Sequence, residues 1–119
     1  MARFTVAMLV CSDLRRSRDF YRDVLGLKVV RDEPSRRVDL ALSTDTVLSL
    51  HPRSDVLAVR PGTLQLGFVV ENVDAFVGDC RYLGVPVFQD PYDDVAGRVA
   101  VIGDPDGYPI QIAGPRAKR

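Results

Sequence analysis

The residues that could do chemistry in this chain are few. There is one histidine, His51, the side chain whose ordinary titration lies nearest neutral pH. There are two glutamates, Glu33 and Glu71, and two cysteines, Cys11 and Cys80, with no C-x-x-C pair between them. That is too little for a zinc ribbon or a disulfide framework. No phosphate-binding loop, dinucleotide fingerprint or nucleophile elbow is present. What remains is neutral and scattered. Gln65 and Gln111 each carry an amide that both donates and accepts. Pro91-Tyr92 interrupts the acidic residues Asp90, Asp93 and Asp94, a segment that reads as a solvated loop, and Arg98 follows Gly97. Three roles stay open for His51: a ligand contact, a general base, or a solvated histidine at a strand end before Pro52.

The elements that must position these residues follow from hydrophobic periodicity. Phe4 to Cys11 is a continuous apolar run, expected to be a strand buried on both faces. Ser12-Asp13 is a helix cap, and Leu14, Phe20, Tyr21, Val24 and Leu25 fall on one helical stripe that ends at Gly26. Strands are then expected at Leu27 to Val30, Val38 to Leu42 and Thr46 to Leu50, separated by turn residues. Residues 52–63 break the pattern with prolines and a glycine. Beyond them Leu64 to Val70 reads as a strand and Glu71-Asn72 as a cap. Val73, Phe76, Val77, Cys80 and Leu83 form a second stripe, closed by Gly84. Val85 to Phe88, Arg98 to Ile102 and Ile110 to Ala113 follow as strands, with Asp104-Pro105-Asp106-Gly107 as a tight turn. The tail from Gly114 is polar and expected to fray.

The order strand, cap, helix, Leu-Gly, strand therefore occurs twice. Leu25-Gly26-Leu27 matches Leu83-Gly84-Val85 at a separation of 58, and the caps Asp13 and Asn72 are separated by 59. The difference implies one residue deleted within the second helix. Duplication predicts an α+β chain of two βαβββ modules: module one over about 1–51, a linker over about 52–63, and module two over about 64–114. Each module alone has a small core, so the halves are expected to share a cup.

Composition narrows the partners. Among 119 residues, 46% are hydrophobic, and 16 basic residues balance 16 acidic ones. That argues against disorder and against a nucleic-acid surface. The longest apolar run near the start falls far short of a membrane span, which needs about 20 residues. The expectation is a cytoplasmic protein with no membrane or nucleic-acid partner.

SDLRRSRDFYRDVLGLKV (12–29) and DPDGYPIQI (104–112) resemble the vicinal oxygen chelate superfamily of glyoxalases, bleomycin- and fosfomycin-resistance proteins and extradiol dioxygenases. The similarity covers nearly the whole chain. It implies paired βαβββ modules, each a curved half-barrel sheet, usually in a homodimer. It also implies metal ligands in the first and last strand of each half. Those positions fall here on Val6, Ser49, Gln65 and Gln111. A divalent transition metal wants imidazole, thiolate or carboxylate donors, and this set has none. No cofactor is expected.

The reading is a metal-free protein of this superfamily that binds a small organic molecule, with antibiotic sequestration as the obvious version. Val6, Met8, Ser49, His51, Gln65 and Gln111 are expected to line its cup, with Tyr92 overhanging as a lid and Arg98 available to an anionic group. Enlarging Ser49 to Trp is expected to fill a void and abolish binding. Two alternatives are an enzyme, either a metal-dependent lyase or dioxygenase or a metal-free catalyst using His51, and a regulatory or assembly partner with no ligand.

Overall fold

The structure is a computed structural model that describes residues 1–61, 64–95 and 97–116. Gly62 and Thr63 of the expected linker, Ala96, and tail residues 117–119 lie outside the described residues. The chain forms two compact units, Met1–Arg60 and Pro61–Arg119. Each is a βαβββ module with one helix and one four-stranded mixed sheet.

In the first unit β1 (Val6–Cys11) leads to α1 (Leu14–Asp23), then to β2 (Val29–Glu33), β3 (Arg37–Ala41) and β4 (Val47–Pro52). The strand order is β1-β4-β3-β2, with β1 parallel to β4 and the rest antiparallel. The helix therefore carries the chain from one edge of the sheet to the other. Asp13 starts it by accepting a hydrogen bond from the Arg16 amide at 3.1 Å. Strand alternation turns Leu9 and Cys11, Leu48 and Leu50, and Val38 and Leu40 to one face, where α1 packs with Leu14, Phe20 and Tyr21. All are buried.

The second unit repeats this plan. β5 (Leu66–Val69), α2 (Val73–Tyr82), β6 (Val87–Asp94), β7 (Gly97–Gly103) and β8 (Pro109–Gly114) give the order β5-β8-β7-β6. Asn72 caps α2 by accepting from the Ala75 amide at 3.0 Å. Ala100, Ile102, Ile110 and Ile112 are fully buried, as are Val77 and Cys80 of α2 apart from a trace. Burial, with the nearby Asp79 charge, pushes the Cys80 thiol above its ordinary range. The last turn is held by Asp104, whose carboxylate accepts from the amides of Asp106 and Tyr108, each at 2.9 Å.

Three expectations change. β1 is not buried on both faces: Val6 and Met8 are 46% and 42% exposed on the side that no helix of its unit covers. The missing residue of the repeat is not inside the second helix, because α1 and α2 are both ten residues long. It falls in the turn after the helix, where Val24-Leu25-Gly26 is matched by Leu83-Gly84. The acidic segment 90–94 is strand rather than loop. It is the outer part of edge strand β6, whose bulges and edge position accommodate Pro91.

Both helix-to-strand turns need a positive φ, 74° at Gly26 and 79° at Gly84. Gly78, in contrast, lies within α2 with open space where a Cβ would stand. Gly84→Ala should thus destabilise by about 1–2 kcal/mol, whereas Gly78→Ala should stabilise by roughly 1 kcal/mol. Urea titration of both variants should give midpoint shifts of opposite sign.

Candidate functional site

The uncovered face of the first sheet carries a polar row. Register places Met8, Ser49, Asp39 and Arg31 side by side across its four strands. Ser49 and Asp39 are buried, at 1% and 6% exposure. Arg37 clamps the Asp39 carboxylate through Nε at 2.9 Å and through a second nitrogen at 2.9 Å. The Ser49 hydroxyl stands beside Asp39 in the strand register and hydrogen-bonds Nε2 of His51 at 2.8 Å. Burial by itself pushes the Asp39 carboxyl upward. The Arg37 and Ser49 hydrogen bonds, with the charges of Arg37 and Arg31, outweigh it and hold the group below the usual carboxylate range. The result is a chain of contacts Arg37–Asp39–Ser49–His51 that ends on a half-buried imidazole.

The equivalent face of the second sheet is built differently. Gly67, Gln111, Val101 and Gln89 stand in the corresponding row, followed by Val69, Ala113, Val99 and Tyr92. Gly67 has no side chain, and Val69 is 84% exposed. Two adjoining hollows lie over this face. One, of about 300 Å³, is lined by Val69, Val99, Gln111 and Ala113, with Asp94 and Arg98 also bordering it. The other, of about 280 Å³, is lined by Gln65, Tyr92, Val101 and Gln111 among others. Gln65 and Gln111 keep their amides exposed. The first hollow is mainly aliphatic and the second mainly polar, and Asp94 borders both; aliphatic walls with a few polar groups suit burial of an organic molecule oriented by hydrogen bonds.

The residues singled out from sequence thus fall into two groups. Val6, Met8, Ser49 and His51 share the uncovered face of the first sheet, and Gln65, Gln111 and Tyr92 share that of the second. Tyr92 is a wall residue in an edge strand, not a lid on a loop. Arg98 borders a hollow, but its guanidinium is spanned by Asp74 at 3.0 Å through two nitrogens and approached by Asp93 at 3.3 Å. Its charge is already matched. Ser49→Trp would not fill a void, because Ser49 is buried and bonded. Sequence reasoning missed Asp39 and Arg37. The signal was there: an aspartate between Val38 and Leu40 in an apolar strand must sit on the face opposite them.

Against known proteins, the sequence profile of the Glyoxalase/Bleomycin resistance protein/Dioxygenase superfamily matches residues 3–112. The chain belongs to this superfamily. Lactoylglutathione lyase of Neisseria meningitidis serogroup B is 34% identical over 122 residues, covering 92% of this chain and 88% of the lyase. The phenazine antibiotic resistance protein EhpR of Enterobacter agglomerans is 29% identical over 112 residues, covering 88% of this chain and 86% of EhpR. The crystal structure of TnmS3, an antibiotic binding protein from Streptomyces sp. CB03234, aligns with a TM-score of 0.78 at 28% identity, covering 97% of each chain.

The superfamily's metal does not fit the donors present. Val6 offers no lone pair, the Ser49 hydroxyl is engaged by His51, and Gln65 and Gln111 are neutral amides. Among the described residues no group of three or more His, Cys, Asp or Glu side chains is arranged to hold a metal ion.

Because the folded-state pKa of Asp39 is lowered, its contribution to stability is present above the unfolded carboxylate range and lost as pH falls through the lowered value. Asp39→Asn should cost about 1–3 kcal/mol near neutral pH. The difference from wild type should shrink as pH falls through that lowered value, where the native carboxylate too becomes protonated. Urea unfolding of both proteins across that range checks the sign.

Proposed function

We propose that this chain is a metal-independent binding protein for a small organic molecule, of the kind that antibiotic-resistance members of the superfamily represent. The observation that carries the reading is the pair of hollows on the uncovered face of the second sheet. Valine and alanine supply area there, and Gln65, Gln111 and Tyr92 supply orientation. The unsuitable donor set removes the Lewis acid on which metal-dependent relatives rely. The names of EhpR and TnmS3, an antibiotic resistance protein and an antibiotic binding protein, support the same class of ligand. No helix among the described residues is long and apolar enough to cross a membrane.

A second reading, a metal-free enzyme acting through His51, is favoured by one observation, the 2.8 Å hydrogen bond between the buried Ser49 hydroxyl and Nε2 of His51. The lyase relatives make that reading worth an assay. Under it, His51→Ala would keep affinity and lose turnover.

Binding is tested by calorimetric titration with a panel of planar aromatic compounds that includes phenazine. Ala113→Trp places an indole on the hollow's floor, so it should weaken any detected binding by at least about tenfold while leaving thermal unfolding nearly unchanged. Elemental analysis of the purified protein should show no stoichiometric zinc, nickel, iron or manganese. Affinity that survives Ala113→Trp, or one tightly held transition metal per chain, would contradict the proposal.

We also infer a homodimer. Val6, Met8 and Val69 leave apolar surface on the uncovered faces, which a second copy could bury. Light scattering should give twice the 13.2 kDa chain mass. A species of chain mass alone would exclude it.

A further inference from the structure

We propose that the molecule bound over the second sheet carries a protonated amine on an aromatic body, and that the Asp94 carboxylate, where the two hollows meet, receives that amine. The proposal rests on the small-molecule reading above and names the class of ligand within it.

The sign of the charge that faces the hollows follows from strand register. The β6–β7 pairing ends with Tyr92 opposite Val99, Asp93 opposite Arg98 and Asp94 opposite Gly97. Side chains alternate along a strand, so Asp93 and Arg98 fall on the face that α2 covers. Their contacts agree: two nitrogens of Arg98 reach the Asp74 carboxylate of α2 at 3.0 Å, and a third reaches Asp93 at 3.3 Å. Tyr92 and Asp94 fall on the uncovered face, and there Asp94, Val99 and Gln111 line both hollows. Among the described residues that line the polar hollow, Asp94 is the charged one. Arg116 adds a cation nearby, donating to the main-chain carbonyl of Asp94. Even with Arg116 included, the carboxylates of Asp74, Asp93 and Asp94 outnumber the guanidiniums of Arg98 and Arg116.

The neutral groups of the polar hollow suit the same ligand. Gln65, Gln111 and Tyr92 each bring an oxygen that accepts. A carboxylate has lone pairs for several donors at once, so an ammonium group entering beside Asp94 meets acceptors of more than one kind. A carboxylate on the ligand would be set against a like charge instead. The aliphatic hollow, with Val69, Val99 and Ala113, takes the aromatic body. Each hollow thus has its own part of the ligand, and Asp94 stands at the junction.

Three probes of similar shape read the sign of the charge: 2-naphthylmethylamine, 2-naphthylmethanol and 2-naphthoate. Each is titrated calorimetrically into the full chain near neutral pH at low salt. Wild type should prefer the amine over the alcohol about tenfold, the equivalent of about 1.4 kcal/mol, and should bind the carboxylate most weakly. Asp94→Asn removes the charge and keeps the shape, so it should bring amine and alcohol within about twofold of each other. Asp94→Glu should keep the preference for the amine. Added salt should narrow that preference in wild type and leave Asp94→Asn unaffected, a response that a merely structural role for Asp94 would not give. Equal binding of amine and alcohol by wild type, or a preference that survives Asp94→Asn, would overturn the charge assignment and leave the small-molecule reading standing. Binding of none of the three would count against the small-molecule reading and overturn this proposal with it.

Discussion

One helix cannot cover both faces of a sheet, and each unit of this chain has one helix. A ten-residue helix is about 15 Å long. Four strands spaced at about 4.8 Å span about 14 Å. The helix is thus just long enough to carry the chain from the edge strand, where the module begins, to the opposite edge, where the antiparallel meander starts. Most of the apolar residues on the crossed face are sealed by that passage. On the other face, alternate residues of every strand have no helix of their module over them. The candidate site is a consequence of that geometry before any particular side chain is considered.

The two modules use the bare face in different ways. In the first, the row across the strands is charged and hydrogen-bonded. Arg37 and Ser49 make it possible to bury Asp39 as a carboxylate, at a desolvation cost that two strong hydrogen bonds offset. In the second, the equivalent row begins with a glycine and continues with Gln111 and Val101. The space beside Val69, Gln111 and Ala113 stays open, as the hollow there records. Duplication supplied one scaffold, and divergence made one face an ordered polar network and the other an apolar recess. The superfamily's metal positions fall on these same faces, and here they hold side chains suited to packing and hydrogen bonding.

Much of this was legible in the sequence. Period-two and helical patterns, the Asp13 and Asn72 caps and the paired Leu-Gly turns identify both modules, because each rests on local backbone chemistry. The shared face of Ser49 and His51 followed from strand parity, and the places of Gln65 and Gln111 from the resemblance to the superfamily. What parity could not supply was burial. Ser49 and Gln111 are equivalent in the repeat, yet one is sealed and bonded and the other exposed, and that depends on neighbours across the strands. Register decides it: Ser49 lies between Met8 and Asp39, and Gln111 between Gly67 and Val101. The outer part of edge strand β6, residues 90–94, reads as loop in the sequence because Pro91 and the aspartates look like breakers, and its position at the sheet margin tolerates them. Arg98 looked available because its partner Asp74 is 24 residues away.

The claim on which the account turns is that the uncovered face of the second sheet, rather than a metal centre or a helix surface, is where a small molecule binds. The most direct measurement is an amide proton–nitrogen correlation titration of the labelled protein with phenazine and related planar aromatics. The account predicts progressive, saturable shifts that include Val69, Val99, Gln111 and Ala113 and spare the outer face of α2, unaltered by a metal chelator. Shifts concentrated on α2, or perturbation that appears only when a divalent metal is added, would contradict it.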